Sequence, residues 1–143
     1  SIQAQILNLK IRLQRQMGLT YMFISHDLSV VKHISTDVGV MYLGQMVEKA
    51  PKQSLYEKPL HPYTVALLSA IPLPDPDASR KKIILQGEIA SPINPKPGCR
   101  FALRCPFVQE HCRIETPELL EVMPDHFVAC HRSAEMQMGT LNY

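Results

Sequence analysis

The stretch GCRFALRCPFVQEHC, from Gly98 to Cys112, holds Cys99, Cys105 and Cys112, and Cys130 completes the chain's four cysteines with spacing C-x5-C-x6-C-x17-C. This spacing constrains the fold because the region from Lys82 to His131 is poor in long apolar elements. A small, loop-rich region of that kind needs a staple to hold one ordered structure. Three chemistries compete for the thiols. Two disulfides are possible, with three ways of pairing. Four unrelated buried thiols are the plainest alternative, since free Cys is often a small core residue. The third is a shared metal centre, which four thiolates complete whether it is one zinc ion or an iron-sulfur cluster.

The rest of the chain weighs on that choice. No run of about 18 apolar residues is present, and the opening SIQAQILNLK lacks the layout of a secretory signal. A cytosolic setting is therefore expected, and it disfavours disulfides. Structural zinc sites commonly use close pairs such as C-x2-C, which are missing here, whereas the wider gaps suit loops gathered around a larger cluster. His111 and His131 flank Cys112 and Cys130, but four cysteines already fill a site, so the ligand set expected is Cys99, Cys105, Cys112 and Cys130. Arg100, Arg104 and Arg113 lie close by in sequence and are candidates for offsetting thiolate charge.

With 143 residues, 45% hydrophobic content and 20% charged, the chain has the material for one or two small domains rather than a disordered tail. A net charge of +2, with no basic cluster beyond Arg80-Lys81-Lys82, predicts no nucleic-acid partner.

The N-terminal third is patterned differently. Ile2, Ile6, Leu9, Leu13 and Met17 recur at helical spacing, and Gly18 marks the stop. The helix opens with little capping signal, as expected of the continuation of a longer fold. Leu19 to Ile24 is a short apolar run, the pattern of a strand buried on both faces. Asp27 then suits the N-cap of a helix carrying Leu28, Val31 and Ile34. Helix, buried strand and helix predict an α/β layer, with His26 where the strand ends and the helix begins. Ligands favour that edge of an open α/β sheet, although by residue type alone His26 reads first as a loop residue. VGVMYLGQMVEKA reads as a hairpin turning at Leu43-Gly44.

FISHDLSVV followed by VMYLGQMVE resembles the switch-histidine region of the ATP-binding subunits of ABC transporters. LYEKPLHPYTVALLSAIP and GCRFALRCPF are similar to the oligopeptide/dipeptide importer branch, and SIQAQILNL resembles the helix after the D-loop. The resemblance covers nearly the whole chain. It implies that His26 contacts the γ-phosphate of ATP and helps order the attacking water. It also implies a complete subunit that dimerises with a second ATP-binding subunit around MgATP and drives transmembrane permeases fed by a peptide-binding protein. Related importers include members whose four C-terminal cysteines hold a four-iron four-sulfur cluster, with zinc the alternative here.

The departures matter as much. No G-x-x-x-x-G-K-[ST] occurs in the sequence, and the signature motif, glutamine loop and acidic strand of the family are missing too. Phosphoryl transfer needs that whole apparatus, so the chain is expected to be inactive by itself and to require the upstream part of the same subunit.

Downstream, KQSLYEK predicts a helical turn. The next helix starts at Pro62, with His61 at its head and Tyr63, Leu67 and Ala70 on one face, Val65 and Leu68 nearby. IPLPDPDASRKK is a linker, IILQGEI a strand and ASPINPKPG an irregular loop. The fold expected is α/β: residues 1–51 as the C-terminal portion of a P-loop ABC ATPase domain, and 52–143 as an irregular, cysteine-rich extension. Its location would be peripheral, on the cytoplasmic face of the membrane. The rival reading is a free-standing metal-binding or regulatory module without ATP chemistry.

Overall fold

The computed structural model describes residues 2–71, 82–88, 91, 93–141 and 143. They fall into two compact units, Ser1–Thr36 and Asp37–Tyr143.

In the first unit, α1 (Ile2–Met17) ends at Gly18, whose φ of +63° is the left-handed conformation of a helix stop. Leu19 N–H reaches back to the Gln14 carbonyl at 3.2 Å, the longer bond of a Schellman end. Asp27 caps α2 (Leu28–Ile34), accepting from the amides of Ser29 at 2.9 Å and Val30 at 3.2 Å. The expected strand at Leu19–Ile24 does not form: the segment carries no ladder, and Met22 and Ile24 are 91% and 87% exposed. A strand buried on both faces needs neighbours to pair with and layers to cover it. Among the described residues this unit offers only two helices.

The second unit is built on a four-stranded antiparallel sheet of order β1-β2-β4-β3. β1 (Asp37–Tyr42) and β2 (Gln45–Pro51) form the expected hairpin, with Tyr42 opposite Gln45. Leu43 and Gly44 both take positive φ, 45° and 78°, as a two-residue turn matching strand twist requires. Val38, Val40 and Tyr42 alternate inward along β1. β3 (Leu120–Met123) and β4 (His126–Val128) form a second hairpin that sequence patterning did not single out, and Lys49 of β2 pairs with Phe127 of β4. The sheet therefore draws strands from both sides of Pro51.

Short helices follow: α3 (Lys52–Glu57), which packs against β1 and β2, α4 (Pro62–Ser69) and, near the end, α5 (Ser133–Gln137). α4 begins at Pro62 and is capped by His61, whose Nδ1 accepts the Tyr63 amide at 3.1 Å. Its buried residues are Pro62, Thr64, Ala66 and Leu68 rather than a stripe through Tyr63, Leu67 and Ala70. An apolar helix this short is covered on more than one side. Phe101 is buried against Tyr42, Tyr63 and His61, with ring centroids 5.2, 5.5 and 5.6 Å away. This aromatic cluster ties the cysteine-rich loop to the sheet.

The strand expected at IILQGEI is not seen over residues 83–88, where Ile84 is 80% exposed and Ile83 N–H bonds the Ser69 hydroxyl at 3.0 Å. Most of the proline-rich linker lies outside the described residues. Among the described residues no helix is long and apolar enough to cross a membrane.

Candidate metal centre

Backbone geometry brings the four cysteines together. The Cys99 amide bonds the Cys112 carbonyl at 2.8 Å, which joins the start and end of the 98–112 loop. Gly98 permits this approach: its φ is +102°, and a Cβ there would meet the Arg113 carbonyl carbon at 2.6 Å. Between them the chain winds through tight turns, Ala102 N–H to Cys99 O at 3.0 Å and Val108 N–H to Cys105 O at 3.3 Å. Cys112 sits in the 3-10 turn His111–Arg113. Cys130 arrives from the far side, positioned by β4 and the Ala129 N–H to Val47 O bond of 2.8 Å.

All four line one cavity of about 20 Å³, walled by Phe101, Phe107, His61 and Arg132 among others. The thiols are free of disulfides. Backbone amides face three of them: those of Phe101 and Ala102 toward Cys99, Phe107 toward Cys105, and Arg132 toward Cys130 at 3.4 Å. Amide hydrogen bonds to sulfur support thiolates in metal centres. Burial pushes the Cys105 thiol up to about 11 and Cys130 up to about 12, and also raises Cys99. At neutral pH these groups are therefore protonated unless a cation is present to invert that preference.

The donor set matches a tetrathiolate centre in residue type and amide support. Yet among the described residues no group of three or more His, Cys, Asp or Glu side chains closes to metal-ligating geometry. The sulfurs ring a common space without meeting at one point.

The flanking residues divide. His111 and His131 are exposed and stack edge to face with centroids 4.8 Å apart, and His131 Nε2 lies 3.0 Å from the Glu115 carbonyl oxygen. Arg100 donates to the Leu43 carbonyl and so ties the loop to the hairpin turn. Arg113 is exposed. Arg104 has a buried Nε with no hydrogen-bond partner among the described residues, and so does Arg132, which sequence reasoning missed although it lies two positions after Cys130. His26 is exposed in the bend before Asp27, in the other unit.

A second cluster also escaped the sequence reading. Glu48 of β2 is fully buried, and its Oε1 accepts the Leu60 amide at 2.7 Å while Oε2 accepts the His61 amide at 3.0 Å. His126 Nε2 lies 2.7 Å from Glu48 Oε1, and His126 Nδ1 lies 2.9 Å from Ser54 Oγ. Serine, histidine and glutamate in line resemble a hydrolytic triad, but this carboxylate is spent on backbone amides. The network locks β2, α3, the head of α4 and β4 together. The available signal was an acidic residue in a strand whose neighbours point into the core.

Fold and site define a small mixed α/β chain with a thiol-lined centre. Residues 47–112 match the family model for the oligopeptide/dipeptide transporter C-terminal region. The chain is 55% identical over 139 residues to a putative oligopeptide transport ATP-binding protein, YkfD, of Bacillus subtilis, covering 94% of this chain and 42% of the relative. It is 56% identical over 133 residues to the oligopeptide transport ATP-binding protein AppF of the same organism, covering 92% and 40%. A probable peptide ABC transporter ATP-binding protein of Sinorhizobium fredii, y4tS, is 51% identical over 131 residues, covering 92% and 37%. Nearly the whole chain is therefore similar to oligopeptide ABC transport ATP-binding proteins, and residues 47–112 match the oligopeptide/dipeptide transporter C-terminal region. The chain spans about two fifths of the length of these curated relatives.

Proposed function

We propose that the chain is the C-terminal part of an ATP-hydrolysing subunit that energises import of di- or oligopeptides. The observation that carries this is the 55% identity to an oligopeptide transport ATP-binding protein across 94% of the chain. In this reading residues 1–51 complete the nucleotide-binding domain and 52–143 form the importer-type extension. The partners are the upstream part of the same subunit, a second ATP-binding subunit, the transmembrane permeases and, through them, a peptide-binding protein. The complex places the chain on the cytoplasmic face of the membrane. Bound MgATP supplies the transferable phosphoryl group. His26, exposed at the head of the Asp27-capped helix, is the chain's contribution to catalysis: it holds a γ-phosphate oxygen and orients the attacking water. The test is His26→Ala in the complete subunit. ATP binding should persist while hydrolysis and peptide uptake fall more than about tenfold, in keeping with the loss of one positioning group. Unchanged hydrolysis refutes the role of His26. Peptide uptake that survives deletion of the whole subunit refutes the transport reading.

We further infer that Cys99, Cys105, Cys112 and Cys130 hold a metal centre, with a four-iron four-sulfur cluster as the reading taken from the family resemblance. Zinc, whose tetrahedral site four thiolates would also complete, is the second reading. Either group cross-links the loop 98–112 to the end of β4, and its binding energy becomes folding energy there. Iron, sulfide and zinc assays on anaerobically purified protein discriminate the two. Absence of all three, with four titratable thiols, overturns the metal reading.

A further inference from the structure

We propose that Arg132 is the charge partner of the centre held by the four cysteines, its Nε–H reserved for a thiolate sulfur of that centre. The proposal rests on the metal reading above. Arg132 lines the thiol cavity, and its backbone amide already contacts Cys130 Sγ at 3.4 Å. The two terminal nitrogens of its guanidinium are committed elsewhere: Nη1 donates to the Phe107 carbonyl at 3.1 Å, and Nη2 pairs with Glu135 Oε2. These bonds fix the plane of the group. The remaining donor, Nε–H, is buried with no partner among the described residues.

A buried donor left without an acceptor carries its full desolvation penalty, so native structures rarely keep one unexplained. Neutral thiols are weak acceptors and do little to relieve it. Four thiolates on a metal change the situation, because they leave net negative charge on sulfur in a space walled largely by aromatic and aliphatic side chains. A fixed guanidinium at that wall then supplies both a hydrogen bond and a compensating charge. Arg132 is thus a positioning residue for the centre and not a ligand.

Cobalt(II) binding to the metal-free 143-residue chain, measured by chelator competition, tests this with a readout independent of transport. Arg132→Met should weaken binding by about 10- to 100-fold, the usual cost of losing an outer partner of a metal site. Glu135→Gln provides the contrast. It removes the carboxylate that brackets Arg132 but leaves the guanidinium, so affinity should hold or rise. If Arg132 were only a brace between Phe107 and Glu135, both variants would weaken binding alike, and that result overturns the proposal. Equal affinity of Arg132→Met and the parent chain overturns it too. If the parent chain takes up no cobalt, the single-ion reading of the centre fails and this proposal with it, while the iron and sulfide assays decide the cluster reading separately.

Discussion

Replacing Glu48 tests whether a single buried carboxylate joins the two hairpins to the helices. In the native chain three donors converge on it, the amides of Leu60 and His61 and the Nε2 of His126, at 2.7, 3.0 and 2.7 Å. Glutamine keeps the shape but has only one acceptor oxygen. If the oxygen takes the Oε1 position, its NH2 faces the His61 amide, donor against donor. In the opposite orientation the NH2 faces Leu60 and His126. At least one buried donor loses its acceptor either way, a cost of about 1–3 kcal/mol. Alanine strips all three donors of their acceptor and leaves a void, for about 3–6 kcal/mol, a large part of the roughly 5–15 kcal/mol that holds a typical domain together. Urea unfolding of the 143-residue chain, followed by far-UV circular dichroism in one metal state, measures both. Glu57→Gln is the control, since Glu57 is exposed and bonds Gln53 one turn back on the helix surface, so its change should stay within about 0.5 kcal/mol. A loss below about 0.5 kcal/mol in Glu48→Gln would refute the assignment of Glu48 as the shared acceptor.

Two pKa shifts give further predictions. Burial lowers His61 from 6.5 to about 3, so below pH 6.5 the unfolded chain takes up a proton that the folded chain refuses until about pH 3. Its contribution is therefore intact above pH 6.5 and lost progressively from there down to about pH 3. In His61→Asn, which keeps a capping acceptor, this loss disappears. The stability advantage of the metal-free parent over the variant should shrink by about 2–3 kcal/mol between pH 7 and pH 4 in urea titrations. An advantage that is flat with pH would contradict the burial of a neutral imidazole. In the metal-free chain at pH 8, Cys105, raised from 9.0 to about 11, should alkylate about 100-fold more slowly than in urea, because the thiolate is the reacting species. Mass-mapped alkylation rates that match the unfolded chain would show the thiols to be open.

Much of the local structure was legible. Asp27 followed by an apolar helical pattern, Gly18 after Met17, Pro62 at a helix start and Leu43-Gly44 between alternating strands each act within a few residues, and each forms as read. The misses share a different cause. Leu19–Ile24 and IILQGEI have strand-like composition, but a strand exists only where another chain segment pairs with it. Neither segment has such a partner among the described residues. β3 and β4 are short, and β4 is anchored by pairing with Lys49 and Glu48, residues far away in sequence. For the same reason Glu48 and His126, 78 positions apart, gave no joint signal.

Motifs, turn chemistry and capping are encoded in neighbouring residues, so the resemblance to peptide-importer subunits, the hairpin and helix starts, and the cysteines as residues to watch were all readable in residue order. The closed fold alone reveals that the four thiols line one small cavity, that Arg132, which also lines it, has a buried Nε without a partner among the described residues, and that Glu48 is the internal lock. Those facts depend on burial and on contacts between distant segments, which the order of residues does not display until the chain has closed on itself.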